Sequence, residues 1–437
     1  MTVPASSEET KVGNYFVSNY PPFSFWSDAG IPALHEVLAG KPDPQTPLGL
    51  YVHLPFCRRR CDFCYFKVYT EKSSQDIRNY LASVLAEVDQ WVKHPYVAGR
   101  KPQFIYFGGG TPSYLSAAQL TELFEGIQSR ISWDDAVEVA FECEPGTLSE
   151  PKIEVLRKLG VTRLSIGVEN FNPEILERNN RAHRAKEIYA VYDFARKVGF
   201  SQINLDLIAG MVGETEENWK HCLDETVRLE PESVTIYQME VPHNTTLSAR
   251  VKESGGEVAP VADWATKRRW ISEAFGRLES VGYHIGSAYT ACRNDEVKFL
   301  YRDALWHGAD LLGVGVSSFS HLGGVHFQNQ PSLEPYSTAV AAGELPIWRA
   351  LRVSDDERFI REFILQMKLG HVDATYFVGK FGVNPTERFD AELAKHRDAG
   401  YLSFDREKIL ATREGLLRID SLLHDFFLEE HRGARYT

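Results

Sequence analysis

Short apolar runs alternate with longer amphipathic stretches from residue 50 onward through the first half of the chain. The apolar runs have the length and residue types of β-strands and cover Leu50–Phe56, Gln103–Phe107, Val137–Glu142, Arg163–Val168, Ile203–Ile208 and Ser233–Glu240. The stretches between them have helical spacing and include Ser74–Lys93, Ala117–Ile131, Arg184–Val198 and Thr215–Leu229. Strands that alternate with helices are typical of parallel β/α units. Six units predict an α/β fold with a partial (β/α)6 barrel of the TIM type rather than a closed barrel of eight strands.

The segments that flank these units predict further parts of the molecule. Residues 1–48 include the aromatic and proline-rich stretch Tyr15–Trp26, which is typical of an arm packed on a domain surface. Residues 49–345 complete the barrel domain with a helix over Val261–Val281 and a glycine-rich segment, Gly308–Gly324, whose role the sequence leaves open. Proline, glycine and polar residues at Gln330–Pro346 indicate a domain boundary.

Residues 346–437 predict a C-terminal α+β domain that resembles a winged helix. Its predicted elements are a helix from Ser354, a helix-turn-helix over His371–Gly382, a helix over Thr386–Asp398, a strand pair across Asp405–Lys408 and a final helix near Arg413–Glu430. Winged helices often bind DNA, but this chain has a net charge of −12, and nucleic-acid binding requires a basic surface. We therefore expect the domain to pack on the barrel or cover a substrate, with no nucleic-acid partner.

The bulk composition is that of an ordinary globular protein, since the 437 residues are 43% hydrophobic and 25% charged. No run of 18 or more apolar residues predicts a membrane span, and the N-terminus lacks the apolar core of a signal peptide. We therefore expect a cytoplasmic protein in a reducing compartment, where clustered thiols favour metal binding over disulfides.

Three of the six cysteines, Cys57, Cys61 and Cys64, lie within eight residues directly after the first predicted strand. Thiolates at the spacing C-x3-C-x2-C can bind three irons of a [4Fe-4S] cluster and leave the fourth iron open to an outside ligand. Two alternatives stay open on the spacing alone. A structural zinc site would need a fourth ligand, for which His53 is the nearest candidate, and C-x2-C also occurs in redox pairs. The cluster is favoured because parallel barrels carry their active sites at the carboxyl ends of the strands.

Other predicted strands also end in residues suited to ligand binding. Consecutive glycines in Phe107–Ser113 would let backbone N–H groups approach a ligand. The polar candidates at or after the ends of the third to fifth strands are Glu142, Glu144, Glu169, Arg181 and Asp206. Arg181 suits a carboxylate. Asp206 lies in an apolar run, where an unpaired charge would be costly, so we expect it to have a partner.

The chain resembles the HemN-like branch of the radical S-adenosylmethionine (SAM) enzymes, which contains oxygen-independent coproporphyrinogen III oxidases. The similar motifs, in family order, are YVHLPFC, FGGGTPS, SIGVENFNPEILERNNRAH, NLDLIAG and DLLGVGVSSFS. The resemblance implies a [4Fe-4S] cluster bound by the three cysteines and cleavage of SAM to a 5'-deoxyadenosyl radical. It implies that Tyr51, Gly110, Glu142, Arg181 and Asp206 contact the first SAM, with Tyr51, Glu142 and Arg181 as catalytic residues. Residues implied to line the same cavity, where some members hold a second SAM, are Phe63, Gly109, Thr111 and Met239.

Two positions differ from the oxidases and leave three functions open. The oxidases usually carry a fourth cysteine just after the third, where this chain has Tyr65 and Phe66, and they usually have Gln at the position of Glu169. The first expectation is oxidative decarboxylation of coproporphyrinogen III or a related tetrapyrrole. The alternatives are a HemN-like C-methyltransferase or cyclopropane-forming enzyme that uses two SAM molecules, and a haem chaperone of the HemW type. Expected partners are a small-molecule substrate, a tetrapyrrole or other natural product, and an electron donor of the flavodoxin or ferredoxin type.

Overall fold

The computed structural model describes residues 16–256 and 260–434. Within these residues it has a large sheet of 12 strands and a small antiparallel sheet of 3 strands. The strands are β1 Leu48–Leu54, β2 Phe104–Gly109, β3 Glu138–Cys143, β4 Arg163–Glu169, β5 Gln202–Ala209, β6 Ser233–Gln238, β7 His284–Ile285, β8 Thr290–Cys292, β9 Asp310–Val314, β10 Phe319–Leu322, β11 Val325–Asn329, β12 Ile347–Arg352, β13 His371–Asp373, β14 Leu402–Phe404 and β15 Lys408–Ala411.

Helices cover the outer face of the large sheet and form most of the C-terminal part. They are α1 Ile31–Ala39, α2 Ser74–Trp91, α3 Ala117–Gln128, α4 Glu150–Lys158, α5 Pro173–Arg178, α6 Ala185–Val198, α7 Glu216–Leu229, α8 Thr246–Glu253, α9 Trp264–Glu279, α10 Leu300–Trp306, α11 Leu333–Ala341, α12 Asp355–Met367, α13 Ala374–Phe381, α14 Pro385–Arg388, α15 Asp390–Asp398, α16 Arg413–Leu416 and α17 Ile419–Leu423. None of the helices in the described parts of the chain has the length and apolar character that a membrane crossing requires.

The six predicted strands pair in parallel in chain order from β1 to β6, which confirms the partial barrel. Along β1, Leu50, Val52 and Leu54 are fully buried beneath the helices. The alternate residues Tyr51 and His53 lie on the inner face, as the two-residue repeat of a strand requires. The open segment Gly308–Gly324 contains β9, which pairs in parallel with β1, and β10, which starts an antiparallel extension through β11 to β12.

The amino end of the barrel is filled by α10 and by Phe299, the residue before it, whose ring lies 5.9 Å from that of Tyr106. Glu138 accepts hydrogen bonds from the backbone N–H groups of Leu300 (3.1 Å) and Tyr301 (2.9 Å). The Tyr301 ring packs against the rings of Phe104 and Tyr106, with centroids 5.8 and 4.7 Å apart. Because this end is filled, a ligand reaches the barrel interior from the carboxyl ends of the strands.

The C-terminal part confirms an α+β arrangement with a small antiparallel sheet, but three predicted elements are wrong in detail. The helix-turn-helix over residues 371–382 is a strand, β13, followed by α13, because His371–Asp373 pairs with β15. The helix over Thr386–Asp398 breaks at Phe389, which is buried against the aromatic core of this part. The final helix is two short helices, α16 and α17. The domain boundary near residue 345 stays a prediction, and β12 just beyond it belongs to the large sheet.

The arm begins, within the described residues, at Phe16, so Tyr15 lies outside them. Val17 and Tyr20 are fully buried. Val17 N–H donates to Asp420 of α17 (3.3 Å), and the Phe16 ring lies 5.3 Å from the ring of Tyr289. The arm therefore packs between the barrel and the C-terminal helices.

Candidate active site

The loop that carries the three cysteines leaves the carboxyl end of β1. Its base is fixed by backbone hydrogen bonds from Tyr69 N–H to Pro55 O (2.8 Å) and from Cys57 N–H to Tyr69 O (3.1 Å). Cys57 is buried, whereas Cys61 and Cys64 are partly exposed. Burial raises the pKa of Cys57 to about 12 and that of Cys64 to about 11. The loop is thus a low-dielectric site where the thiolate forms need a positive centre beside them.

The glycine-rich turn after β2 lies directly against this loop. Gly110 N–H donates to Leu54 O and Thr111 N–H to Phe56 O, both at 2.8 Å, and Thr111 Oγ1 lies 3.3 Å from Cys57 Sγ. A Cβ on Gly110 would stand 2.9 Å from Phe56 O and 3.0 Å from Cys57 Sγ. Only glycine allows the two backbones to approach this closely.

Glu142 at the end of β3 is held by two donors. It accepts a hydrogen bond from Gly109 N–H (3.2 Å) and another from the hydroxyl of Tyr106 (2.6 Å). The Tyr106 ring stacks on that of Tyr51, whose hydroxyl lies 3.0 Å from His53 Nδ1. Burial raises the pKa of Glu142 to about 7, although the Tyr106 hydrogen bond acts in the opposite direction.

Arg181 connects the cysteine loop to the end of β4. Its guanidinium lies 3.3 Å from Cys61 Sγ, donates to Gly167 O at 2.7 Å and forms an ion pair with Glu169 at 3.4 Å. Glu169 has φ of 62° at a register shift between β4 and β5, which turns its side chain toward Arg181. Burial raises the pKa of Glu169 to about 7, against the effect of Arg181.

Asp206 of β5 completes a group of three carboxylates on the barrel interior. It accepts hydrogen bonds from Ser165 Oγ and Asn204 Nδ2, both at 2.9 Å, so it has the partners that its burial requires. Burial raises its pKa. The negative charge of Asp206 also raises the pKa of both Glu142 and Glu169. The site therefore carries an excess of acidic groups close to one another.

The family model for the Radical SAM superfamily matches residues 51–226, from β1 through most of α7. These residues form a radical SAM domain.

Relatives of known function extend the similarity beyond the radical SAM domain. The oxygen-independent coproporphyrinogen III oxidase of Escherichia coli strain K12 is 29% identical over 434 residues, 96% of this chain and 93% of that protein. The heme chaperone HemW of Bacillus subtilis strain 168 is 27% identical over 372 residues, 84% of this chain and 96% of that protein. The solved structure of coproporphyrinogen III oxidase (HemN) from Escherichia coli superposes with a TM-score of 0.81 at 26% identity, covering 94% of this chain and 96% of that one. The resemblance to the HemN-like branch is confirmed.

The cofactors of the radical SAM superfamily are a [4Fe-4S] cluster and SAM, as predicted. The residues of this domain fit both groups. The three thiols lie on one loop, and Arg181 contacts both Cys61 of that loop and Glu169 of the acidic group, so the loop and the carboxylates lie beside each other. SAM carries a sulfonium and an ammonium group, and Glu142, Glu169 and Asp206 supply the opposite charge. In residues 16–256 and 260–434, no three His, Cys, Asp or Glu side chains lie close enough together to bind a single metal ion. A [4Fe-4S] cluster does not require this, because each thiolate binds a different iron of the cluster.

The two remaining predicted site residues, Phe63 and Met239, lie together in an apolar cluster beside the radical SAM site. The cluster also contains Ile208, so it borders the carboxyl end of β5. Two tyrosines expose rings in the same region: Tyr65 on the cysteine loop (42%) and Tyr237 at the end of β6 (43%). Burial raises the pKa of both hydroxyls, and so does the charge of Glu142, so both rings lie near the acidic group.

The arginines between the first two cysteines fasten the loop. Arg58 donates to the carbonyl groups of Gly146 (3.2 Å) and Ala182, and Arg60 donates to those of Cys64 (3.1 Å) and Asn244 (3.2 Å). The loop is also held by Asp62, which binds Arg250 of α8 at 2.5 Å. A run of arginines is expected to be a solvated face, so these contacts have no signal in the sequence.

The sequence-predicted ligands of the radical SAM site lie on the inner faces of β1 to β6 or in the loops that follow their carboxyl ends, and their roles stay predictions. Sequence reasoning missed Tyr106 and His183. Tyr106 alternates with buried Ile105 and Phe107 along β2, and this pattern places it on the inner face. His183 was visible only as part of the motif shared with the family.

Proposed function

We propose that this protein uses its radical SAM site to abstract hydrogen from an organic substrate, and that the substrate is coproporphyrinogen III or a related tetrapyrrole undergoing oxidative decarboxylation. The observation that carries the proposal is similarity to coproporphyrinogen oxidases over 96% of the chain, which includes the arm and the C-terminal part. When bound, the cluster and SAM supply the 5'-deoxyadenosyl radical that takes the hydrogen atom.

The residues of the chain bind and orient the reactants. Cys57, Cys61 and Cys64 would hold the cluster, and Arg181 lies close enough to Cys61 Sγ to stabilise its thiolate. Glu142 and Asp206 would hold polar groups of SAM in fixed positions, since each is itself fixed by two hydrogen bonds.

Exposed aromatic rings beside the site also support a flat, ring-containing substrate. Tyr65 and Tyr237 expose their rings there, and the partly buried Phe63 packs on the apolar cluster that contains Met239. The arm and α17 meet at Asp420, which accepts hydrogen bonds from Val17 N–H and from the Tyr289 hydroxyl (2.5 Å). These contacts close the side of the barrel near β6 and support the exclusion of water from the reaction.

The acidic character of the site favours methyl transfer with two SAM molecules as the second candidate. Glu142, Glu169 and Asp206 lie close together, and burial raises the pKa of all three. A second cationic SAM would balance these charges better than a substrate with several carboxylates.

The cysteine loop also offers a contact for an acidic electron donor. The guanidinium group of Arg58 on this loop is 42% exposed.

The test is anaerobic turnover of reconstituted protein with SAM, a reductant and coproporphyrinogen III, with all products identified by mass spectrometry. Loss of carbon dioxide matched by 5'-deoxyadenosine would establish the oxidase. S-adenosylhomocysteine together with a methylated product would refute the oxidase and support methyl transfer. Stoichiometric haem binding without SAM cleavage would refute the oxidase and support haem carriage. Cys64→Ala should abolish SAM cleavage, while Cys292→Ala, which changes a buried thiol of β8, should retain it.

A further inference from the structure

The hydroxyl of Thr111 is the first of two side-chain donors that reach a sulfur of the cysteine loop. Thr111 is the N-cap residue of a short helical turn, Pro112–Tyr114, but its side chain makes no capping hydrogen bond to that turn. A threonine at an N-cap usually accepts a hydrogen bond from a backbone N–H of the first turn. Here Oγ1 instead donates to Cys57 Sγ at 3.3 Å. The hydroxyl is therefore directed at the cysteine rather than at its own helical turn.

The direction of this hydrogen bond is fixed once Cys57 is a metal ligand. A thiolate bound to iron carries no proton, so the sulfur can only accept and the threonine hydroxyl must donate. The backbone holds the two side chains together, because Thr111 N–H donates to Phe56 O at 2.8 Å. Cys57 is only 7% exposed, and a hydrogen bond in such a low-dielectric place is stronger than one in water.

Arg181 is the second donor, and it carries a full charge. Its Nη1 donates to Cys61 Sγ at 3.3 Å, and its Nη2 donates to Gly167 O at 2.7 Å. Because a guanidinium group stays protonated and has no acceptor, this contact places a positive charge beside the sulfur at any working pH. Two of the three cysteine sulfurs thus receive a side-chain hydrogen bond from outside the loop.

Glu169 opposes the charge of Arg181. Its Oε1 lies 3.4 Å from Arg181 Nη2, and the two side chains are only 12% and 11% exposed. Gly167 makes room for this ion pair, since a Cβ there would stand 3.0 Å from Glu169 Oε1 and 3.2 Å from Arg181 Nη2. The positive charge beside Cys61 is therefore partly neutralised by a carboxylate at the end of β4.

We propose that three side chains, Thr111, Arg181 and Glu169, set the reduction potential of the cluster through the cysteine sulfurs that they surround. Reduction adds one electron from an external reductant, and part of the added negative charge lies on the sulfurs. Hydrogen bonds and positive charge at a sulfur stabilise the reduced form, so Thr111 and Arg181 raise the potential and Glu169 lowers it. These effects belong to the radical SAM site of the proposed function, on which the inference rests, and they do not depend on the substrate.

The test is an anaerobic redox titration of the reconstituted protein at pH 8.5, in which EPR measures the reduced cluster. SAM and substrate are omitted, so an effect of a variant on SAM binding does not enter the result. Burial raises the pKa of Glu169 to about 7, so its carboxyl group is ionised at this pH. Iron and sulfide contents are measured first, and only proteins with a complete cluster are compared.

Thr111→Val removes the hydroxyl at nearly unchanged volume. At a fixed solution potential it should lower the ratio of reduced to oxidised cluster by about three- to tenfold, as expected for one lost hydrogen bond. A tenfold change corresponds to a midpoint about 59 mV more negative for a one-electron couple. Thr111→Ser keeps the hydroxyl and should titrate like wild type. The control is Thr121→Val on α3, which removes a hydroxyl hydrogen bond to Ala117 O (3.1 Å) and should leave the midpoint unchanged. A wild-type midpoint in Thr111→Val would overturn the proposal.

Glu169→Gln removes the negative charge beside Arg181 and should shift the midpoint in the opposite direction, to a less negative potential. The matched control is Glu225→Gln, which changes a carboxylate of α7 paired with Arg228 at 2.7 Å and should titrate like wild type. Opposite shifts in the two site variants distinguish an electrostatic effect from a loosened site, which would move both midpoints in the same direction.

If Thr111→Val forms no complete cluster, Glu169→Gln alone decides. A midpoint in Glu169→Gln that equals that of wild type or is more negative would overturn the proposal. Failure to convert coproporphyrinogen III would count against the proposed substrate alone, since the titration contains no substrate.

Discussion

Replacing Tyr106 by Phe tests whether Glu142 binds SAM in its ionised form. The hydroxyl of Tyr106 donates to Glu142 at 2.6 Å, and this bond opposes the burial that raises the pKa of the carboxyl group to about 7. A hydrogen bond to a charged group contributes about 1.5 to 3 kcal/mol, and one pKa unit corresponds to about 1.4 kcal/mol. Tyr106→Phe should therefore raise the pKa of Glu142 by about 1 to 2 units. The remaining donor, Gly109 N–H, is unchanged by the substitution.

The assay is SAM affinity of the reconstituted protein measured between pH 6 and pH 9. Wild-type affinity should fall as the pH drops through about 7, because Glu142 takes up a proton and loses its charge. In Tyr106→Phe the same loss should occur about 1 to 2 pH units higher. Tyr189→Phe is the matched control, since it removes a tyrosine hydrogen bond to Glu225 (2.7 Å) at the surface between α6 and α7. Identical pH profiles for wild type and Tyr106→Phe would refute this account of Glu142.

Two further substitutions test the cysteine loop and the buried histidine pair of β10 and β11. Gly110→Ala should prevent incorporation of iron and sulfide, because the added Cβ would stand 2.9 Å from Phe56 O and 3.0 Å from Cys57 Sγ. The control Gly276→Ala places its Cβ in open space and should be tolerated. A normal content of iron and sulfide in Gly110→Ala would contradict the prediction. Burial lowers the pKa of His321 and His326 well below 6.5, and the two rings contact each other through Nδ1 at 3.1 Å. Their contribution to stability is therefore complete above pH 6.5 and should decline below it, by about 1.4 kcal/mol per pH unit for each ring. The free energy of unfolding at pH 7.5 and 5.5 measures this decline in wild type and in His326→Gln. An equal loss of unfolding free energy between the two pH values in both proteins would contradict the prediction.

Much of the barrel was predictable because each parallel strand is a short apolar run buried on both faces. The bounds of β4 and β5 differ from the prediction by at most one residue at each end. The segment Gly308–Gly324 was not assigned, because its partner β1 lies far away in sequence and nothing local marks the pairing. The strand β13 was predicted as a helix for the same reason, since its pairing with β15 overrides the local pattern.

The sequence predicts which strands and loops carry the candidate site, but it does not predict which side chains of the site contact each other. Cysteine spacing and the glycine-rich turn identify the loop and its neighbour. The contact between Thr111 and Cys57, and that between Arg181 and Cys61, depend on loop geometry that no local pattern contains. Likewise, the Arg58 side chain finds its acceptors on the β3 and α5–α6 turns, which only the folded barrel brings together.

The pairing of β9 with β1 has a consequence for how the protein is made. Leu48 lies opposite Asp310, so one edge of the radical SAM domain is completed by a strand that leaves the ribosome long after residues 51–226. The segment that fills the base of the barrel, α10, also comes after those residues. Pairings this distant slow folding, since the chain must close a long loop before the contact stabilises it. Emerging chains therefore hold the cysteine loop on an incomplete sheet, and cluster insertion is expected to follow release of the finished polypeptide rather than accompany its synthesis.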